Sequence, residues 1–419
     1  MPVFDPVRED LLRAFCEGLR QLSARELVRE FLASRSGGFN ASLLAVGKAA
    51  RHMAAGAVDA MAGETSSGHG RAERPTAGLV IHPRDQDTPA LPEALSCLPG
   101  EHPVPGTGSF RAGEAALAFC ANPAPDTELL VLLSGGGSAL MEAPAQGVDR
   151  DTCVAAHQWL LGSGLDIVDM NRVRQALSAV KGGKLARQLD PDRARVLCLS
   201  DVPEGRLPAL ASGPFLPPLE DALPSGLPDW LARAVPSVPH SSVPEIPHHV
   251  LADARTAGQC MARRMEAAGY SVSQETQRLE GEVPAVARRI GEWLSSPGPG
   301  ARVWWGEMSM TLPEEPGQGG RCQHLALAVA HQLAGRTGWY LLACGTDGVD
   351  GPGDSAGALV DGETISRGLS AGLDPESALA RADSGRFLEA AGDLVHTGPT
   401  GTNLNEVLVA AKDDSVERA

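Results

Sequence analysis

Apolar runs that end in glycine turns recur along this chain, and that alternation constrains its fold more than any other feature. The turns read AVGKAA (45–50), LLSGGGSALMEAP (132–144), AVKGGKLA (179–186), GQGGR (317–321) and HTGPTGTN (396–403), with an acidic counterpart, CGTDGVDG (344–351). Glycine is costly inside regular structure, so such clusters need a reason. Close approach of backbone N–H groups to a polyanion, with helix N-termini behind them, supplies one. The pattern is that of a chain that handles phosphate.

Short apolar runs alternate with longer amphipathic stretches, which points to an α/β architecture with largely parallel strands. Strands are expected at 42–46, 78–81, 129–133, 196–199, 249–251, 303–305, 340–343 and 406–409, and helices at 6–22, 48–61, 108–121, 151–162, 172–188, 254–268, 282–293 and 323–334. Most strand ends lead into a glycine turn, and open α/β sheets bind ligands at those carboxyl ends. Nine prolines between 214 and 247 exclude a regular element throughout that stretch, which reads as a hinge or wrap-around connection, with a short helix near 229–234. Residues 63–70 read as a loop tip.

A net charge of −16 argues against nonspecific nucleic-acid binding, and 4% aromatic content leaves few stacking platforms. No apolar stretch approaches membrane-spanning length, and the N-terminus, with Asp5, Glu9 and Asp10, lacks a signal-peptide core. The eight cysteines are scattered, which fits free thiols in a reducing, cytoplasmic compartment and excludes CxxC metal cages.

Lys48 lies between an expected strand and helix, where an ammonium can neutralise a transferring phosphoryl group, although Ser42 and Ala49 rule out a P-loop. Ser134, Gly135, Gly136, Gly137 and Ser138 form a better phosphate cradle than a dinucleotide fingerprint, because Leu140 stands where its third glycine belongs. On an expected helix, Asn171, Arg174, Ser178 and Lys181 fall along one face that ends in Gly182 and Gly183. Asp347, Asp350 and Asp354 do not match an EF-hand, yet two acids at a strand end can hold Mg²⁺ through water while phosphates complete the octahedron.

Together with GEHPVPG (100–106), NRVRQALSAVKGGKLA (171–186), LSDVPEGRLPALASGPF (199–215), GTDGVDGPGDSAG (345–357) and NLNE (403–406), these strings run in order over nearly the whole chain. The sequence resembles the glycerate 2-kinases of the MOFRL type, often labelled hydroxypyruvate reductases. That resemblance implies two α/β domains, a Rossmann-like one over 1–235 and a MOFRL-type one over 236–419, whose last segment is free to pack back on the first. It further implies an active site in the interdomain cleft, a D-glycerate substrate, ATP as phosphoryl donor and Mg²⁺. Lys48 and Arg321 match the two cationic catalytic positions. The same resemblance makes Ser134 to Ser138, Lys181, Gly182, Gly319 and Gly320 phosphate contacts, and Asn171, Arg174, Glu307, Thr400 and Asn403 substrate contacts. Asp201, Asp347 and Asp350 become candidates for the metal, with Asp347 also the acceptor of the hydroxyl proton. A homodimer is an assembly that such a chain permits.

The chain departs from the family pattern where GGRNQE becomes Gly319-Gly320-Arg321-Cys322-Gln323-His324 and GGE becomes Trp305-Gly306-Glu307. These changes alter hydrogen-bonding capacity beside Arg321. Two alternatives therefore stay open: an NAD(P)H-dependent hydroxypyruvate reductase, and a catalytically weakened nucleotide- or acid-binding protein. The first would want a G-x-G-x-x-G turn that the glycine clusters do not supply.

Overall fold

The computed structural model describes residues 5–34, 41–63, 77–84, 89–124, 127–218, 223–236 and 242–413. The expected loop tip at 63–70 lies, beyond its first residue, outside them. The chain divides into one unit of Ala24–Leu251 and another of Met1–Ser23 with Ala252–Ala419.

The first unit contains α2 (Ala24–Ala33), β1 (Ala41–Val46), α3 (Ala50–Gly63), β2 (Gly78–Pro83), β3 (Leu95–Gly100), α4 (Thr107–Ala121), β4 (Glu128–Leu133) and the short α5 (Gly137–Leu140). It continues with α6 (Arg150–Gly162), α7 (Ile167–Leu177), β5 (Ala194–Ser200), α8 (Asp229–Ala234) and β6 (His248–Asp253), whose last two residues cross into the second unit. The sheet order is β3-β2-β1-β4-β5-β6, with parallel pairing from β3 through β5. This is the doubly wound order, in which the chain turns one way after β1 and the other way after β4. β1 is buried along its whole length and β4 along all but its first residue, as strands covered on both faces must be. Leu44, Val46, Val131, Leu133, Val196 and Cys198 carry the core onto the covering helices.

The described parts of the proline-rich run, 214–218, 223–236 and 242–247, belong to this unit, and no division falls within them. Phe215 and Ile246 are buried in its core, and the division falls between Leu251 and Ala252.

The second unit contains α1 (Pro6–Gln21), α9 (Ala254–Ala267), β7 (Val272–Gln274), α10 (Val283–Ser295), β8 (Gly300–Gly306), α11 (Arg321–Gln332), β9 (Trp339–Gly345) and β10 (Gly357–Asp361). After these come α12 (Thr364–Ser370), α13 (Pro375–Ala380), α14 (Ser384–Ala391), β11 (Leu394–Val395) and β12 (Glu406–Lys412). α1 begins where Asp5 accepts the N–H groups of Val7 and Arg8, and its Arg8 reaches Asp393 (2.9 Å) and Asp361. This explains why the N-terminal helix belongs with the second sheet.

That sheet, β11-β10-β9-β12-β8-β7, corrects the expectation of largely parallel strands: only β7–β8 is parallel, and the other pairs are antiparallel. β12 enters reversed between β8 and β9. A strand buried on both faces reads as the same apolar run in either direction, so composition could not give its sense. Every residue of β12 is buried. Trp304 and Trp339 anchor the core beneath α10 and α11.

Candidate active site

In the first unit, the parallel register brings Val46, Ile81 and Leu133 level, so the turns after β1, β2 and β4 open at the same edge of the sheet. Lys48 follows β1 and the triglycine turn follows β4, which places both at the point where strand order reverses. The Lys48 N–H donates to the Gly135 carbonyl at 2.9 Å. A Cβ at Gly136 would lie 3.1 Å from Lys48 Cγ and 3.4 Å from His102 Cδ2, so the ammonium stem and the imidazole both border this turn.

Ser134 serves the backbone. It is fully buried, and its Oγ accepts the Ala49 N–H at 3.1 Å. A Cβ at Gly47, whose φ is +125°, would come within 2.3 Å of that oxygen, so the two turns lock only with glycine there. Asp201 is half-buried directly after β5.

The expected helical face of 171–181 breaks in two. α7 stops at Leu177, where the Lys184 ammonium caps the Gln175 (2.7 Å) and Ser178 carbonyls. Asn171 and Arg174 remain on that helix. Lys181 leaves it and is fully buried in an ion pair with Glu142, whose Oε2 also meets His157 Nε2 at 3.3 Å. Lys181 is therefore a structural cation and not a phosphate contact. Gly182 likewise gives its N–H to the Ser212 carbonyl at 3.1 Å.

Ala211 and Ser212 hold φ of +50° and +59°, a left-handed conformation that costs a residue with a Cβ on the order of 1–2 kcal/mol. This pair presses against the triglycine turn: a Cβ on Gly137 would sit 2.7 Å from Ala211 Cβ, and Ser138 Oγ lies 2.8 Å from Ser212 Oγ. Nothing in the string LASGPF signals the strain, because neither residue is one that favours it.

In the second unit, Glu406 opens β12 opposite both Gly306 of β8 and Gly345 of β9. Reversal of β12 thus gathers Glu307, Thr346, Asp347 and Glu406 at one end of the sheet. Arg321, the first residue of α11, meets Glu307 Oε1 (3.0 Å), the Met308 carbonyl (2.7 Å) and Glu406 Oε1 (2.9 Å). Burial pushes the Glu406 carboxyl up to about 7 against the pull of Arg321. Sequence reasoning assigns Glu406 no role. Glu307 is an orienting partner of Arg321, and its second oxygen accepts from Asn405 Nδ2 at 3.3 Å.

Asp350 is not an open metal ligand. Its two oxygens accept the Cys322 (3.0 Å) and Gln323 (2.7 Å) N–H groups at the head of α11. A Cβ on Gly320 would strike Asp350 at 2.3 Å, so Gly320 permits this contact and is pressed against a carboxylate, as Gly319 is against Gly385. Anion binding at this helix N-terminus is thereby preempted by the chain's own carboxylate.

Asp347 is half-buried, and its Oδ1 accepts the Val349 N–H at 3.2 Å. Thr400 donates its hydroxyl to the Thr346 carbonyl at 2.6 Å and so braces the loop, while Asn403 is buried beside it in sequence. The neighbouring Thr402 hydroxyl, which the sequence did not single out, is buried without a hydrogen-bond partner. Cys322 is fully buried with its thiol pushed well up by burial, and His324 Nδ1 meets Ser384 Oγ at 2.9 Å. The two departures from the family string therefore point into packing. Among the described residues no group of three or more His, Cys, Asp and Glu side chains could hold a metal ion.

A doubly wound sheet with a lysine and a glycine cradle at its switch point, paired with a mixed sheet presenting a clamped arginine, defines a two-unit α/β protein of phosphoryl-transfer type. Residues 10–224 match the domain of unknown function DUF4147, and residues 301–406 match the MOFRL family. The D-glycerate 2-kinase of Thermotoga maritima is 33% identical over 88% of this chain and 89% of its own length. A protein of Agrobacterium vitis bearing a hydroxypyruvate reductase name is 33% identical over 75% of this chain and 87% of its own. The crystal structure of a glycerate kinase from Thermotoga maritima superposes with a TM-score of 0.83, at 28% identity, over 97% of this chain and 99% of that one. The chain belongs to the MOFRL-type glycerate kinase family. No helix among the described residues is long and apolar enough to cross a membrane.

Proposed function

We propose that this protein transfers the γ-phosphoryl group of ATP to the 2-hydroxyl of D-glycerate, giving ADP and 2-phosphoglycerate. The observation that carries the proposal is Lys48 against the Gly135–Gly137 turn at the switch point of the parallel sheet. Relatives named for this activity support it. Phosphoryl transfer passes through a loose transition state with charge spread over three equatorial oxygens, so catalysis is largely positioning and charge stabilisation. The turn's backbone amides receive phosphate oxygens, and the Lys48 ammonium offsets their charge. Arg321, fixed by Glu307 and Glu406, offers its guanidinium without having to reorganise.

Mg²⁺ arrives as part of the MgATP substrate, where it neutralises phosphate charge. A phosphate-borne Mg²⁺ takes only one or two carboxylates and keeps several waters. Asp201, half-buried after β5, and Asp347, half-buried after β9, are each proposed as a carboxylate for such an ion, while both Asp350 oxygens accept backbone N–H groups. Asp347 is the proposed acceptor of the hydroxyl proton. A cytoplasmic location belongs to the same reading, supported by eight free cysteines.

The reductase reading lacks a dinucleotide fingerprint: Leu140 ends α5 where a glycine would be needed. Incubation with D-glycerate, ATP and Mg²⁺ should yield ADP and 2-phosphoglycerate, and hydroxypyruvate should not consume NAD(P)H. Cofactor oxidation without phosphorylation would overturn the proposal.

A further inference from the structure

The loop after β3 carries His102 across the end of β2. β3 is the edge strand of the first sheet, and its last residue, Gly100, lies level with Pro83 at the end of β2. A Cβ on Gly100 would come within 2.4 Å of the Leu140 carbonyl oxygen, so this strand end is pressed onto α5. Two residues later His102 borders the triglycine turn: a Cβ on Gly136 would lie 3.4 Å from its Cδ2 and 3.6 Å from its Nε2. The same point is 3.1 Å from Lys48 Cγ. Imidazole and ammonium stem thus flank one glycine, although β3 and β1 are not neighbours in the sheet.

The loop is built to hold that side chain in place. Glu101 turns its carboxylate onto the start of α4, where Oε2 accepts the Ser109 N–H at 2.9 Å and Oε1 the Gly108 N–H at 3.3 Å. Oε1 also accepts from Arg84 at 3.0 Å, and the Glu101 N–H donates to Ser109 Oγ at 2.9 Å. A Cβ on Gly106 would strike the Glu101 carboxyl at 2.8 Å, and one on Gly108 the Pro99 carbonyl oxygen at 2.4 Å, so the wrap needs both glycines. Pro103 restricts the backbone on the other side. Between these anchors His102 is exposed, and packing does not call for an imidazole there.

The chemistry of the turn does. The Gly135 carbonyl accepts the Lys48 N–H, the Gly136 carbonyl those of Ala139 and Leu140, and the Gly137 carbonyl that of Met141. With its carbonyls engaged by the chain, the turn meets a ligand as a donor surface. A phosphoryl group in transfer spreads its charge over three equatorial oxygens, which a single ammonium approaches from one direction only. An imidazole with its proton on Nε2 supplies a donor from a second direction, whether the ring is neutral or charged.

We propose that His102 is a catalytic residue, donating its Nε2–H to the phosphoryl group in transit beside Lys48. The inference rests on the kinase reading for the identity of that group. His102 keeps its proton throughout: it stabilises the moving charge and takes no part in the bonds that break and form.

The test compares wild type with His102→Ala, His102→Gln and the His102→Ala/Lys48→Ala pair. Loss of one preorganised donor should lower kcat of His102→Ala by about 10²-fold, with the KM for D-glycerate and the calorimetric Kd of ADP near wild type. His102→Gln, whose amide keeps an N–H donor, should recover a large part of the loss. The double variant should lose less than the product of the two single losses, because both groups act on one phosphoryl unit. In wild-type protein the His102 ring resonances, assigned by their disappearance in His102→Gln, should shift with Mg²⁺ and β,γ-imido-ATP and stay in place with ADP. Wild-type kcat in His102→Ala, a glutamine variant as slow as the alanine one, or an equal shift with ADP would each overturn the assignment. Wild-type protein that shows the analogue-specific shift yet leaves D-glycerate unphosphorylated would sink the kinase reading and leave His102 as a contact to the terminal phosphate.

Discussion

The two units present their key cations in opposite ways. Lys48 stands beside a turn of three glycines, a backbone environment without charge of its own. Arg321 is gripped by two carboxylates and a carbonyl, one carboxylate nearly buried. Sheet sense underlies the contrast. Parallel strands deliver only carboxyl ends, and hence amide-rich turns, to one edge of the first sheet. In the second sheet the reversed β12 delivers a strand start to the same edge as the ends of β8 and β9, and it brings Glu406 with it. A mixed sheet can therefore clamp a side chain at a place where a parallel sheet offers backbone donors.

The largest expected effect is on turnover, and the two cations share it. Lys48→Ala and Arg321→Ala should each lower kcat by about 10²–10³-fold, the usual cost of a preorganised charge. Their stabilities should differ. Arg321→Ala strands the buried Glu406 and should cost on the order of 2–3 kcal/mol in chemical denaturation, discounted because the arginine is partly exposed. Lys48→Ala should lose less stability, since the backbone N–H bond to the Gly135 carbonyl survives the substitution. Equal destabilisation of both variants would erase the contrast between a carboxylate-gripped arginine and a lysine set beside a glycine turn.

Next in size is the backbone lock of the first unit. Gly47→Ala forces a Cβ into Ser134 at a positive φ and should cost more than about 2 kcal/mol, together with activity, because Lys48 is the next residue. A variant as stable and active as wild type would show that the turn yields easily.

The smallest effect is the pH response, which should have opposite signs in the two units. Burial pushes the Glu406 carboxyl up to about 7 from its ordinary 4.5, so between those values the folded chain holds a proton that the unfolded chain has released. Its stabilising contribution is complete below about pH 4.5 and drains as pH rises through 7. His157 titrates at about 4 against 6.5, so its contribution is present above 6.5 and is lost as pH falls through 4. Each is worth on the order of 1–3 kcal/mol. Denaturation between pH 4 and 8 should lose its alkaline slope in Glu406→Gln and its acidic slope in His157→Gln. Parallel curves for all three proteins would refute the assignment.

The first unit was largely legible in the sequence because its signals are local. A buried parallel strand is a continuous apolar run, and the turn that follows it carries its chemistry in adjacent residues, as Lys48 and Gly135 to Gly137 do. The second unit was less so. The partners of Arg321 come from residues 307, 308 and 406, and they meet only through a strand reversal that leaves no compositional trace. Lys181 misled for a related reason. A lysine beside two glycines resembles a phosphate contact until burial against Glu142, 39 positions earlier, is known. The strain at Ala211 and Ser212 is invisible to any reading by residue type, since alanine and serine are ordinary in every region but the one they occupy here.

Arg8 of α1 finds Asp361 353 positions further on. The second unit therefore takes α1 from one side of the first unit in sequence and all its strands from the other. α1 must wait, unpaired with its own sheet, while the entire first unit is synthesised and folds in between. Until the residues from Ala252 onward have been made, the side of that helix carrying Leu11 and Phe15 lacks the α9 and β9 on which it packs. Assembly of the second unit thus waits on the first: α1 docks only once the strands that follow the intervening unit have been made.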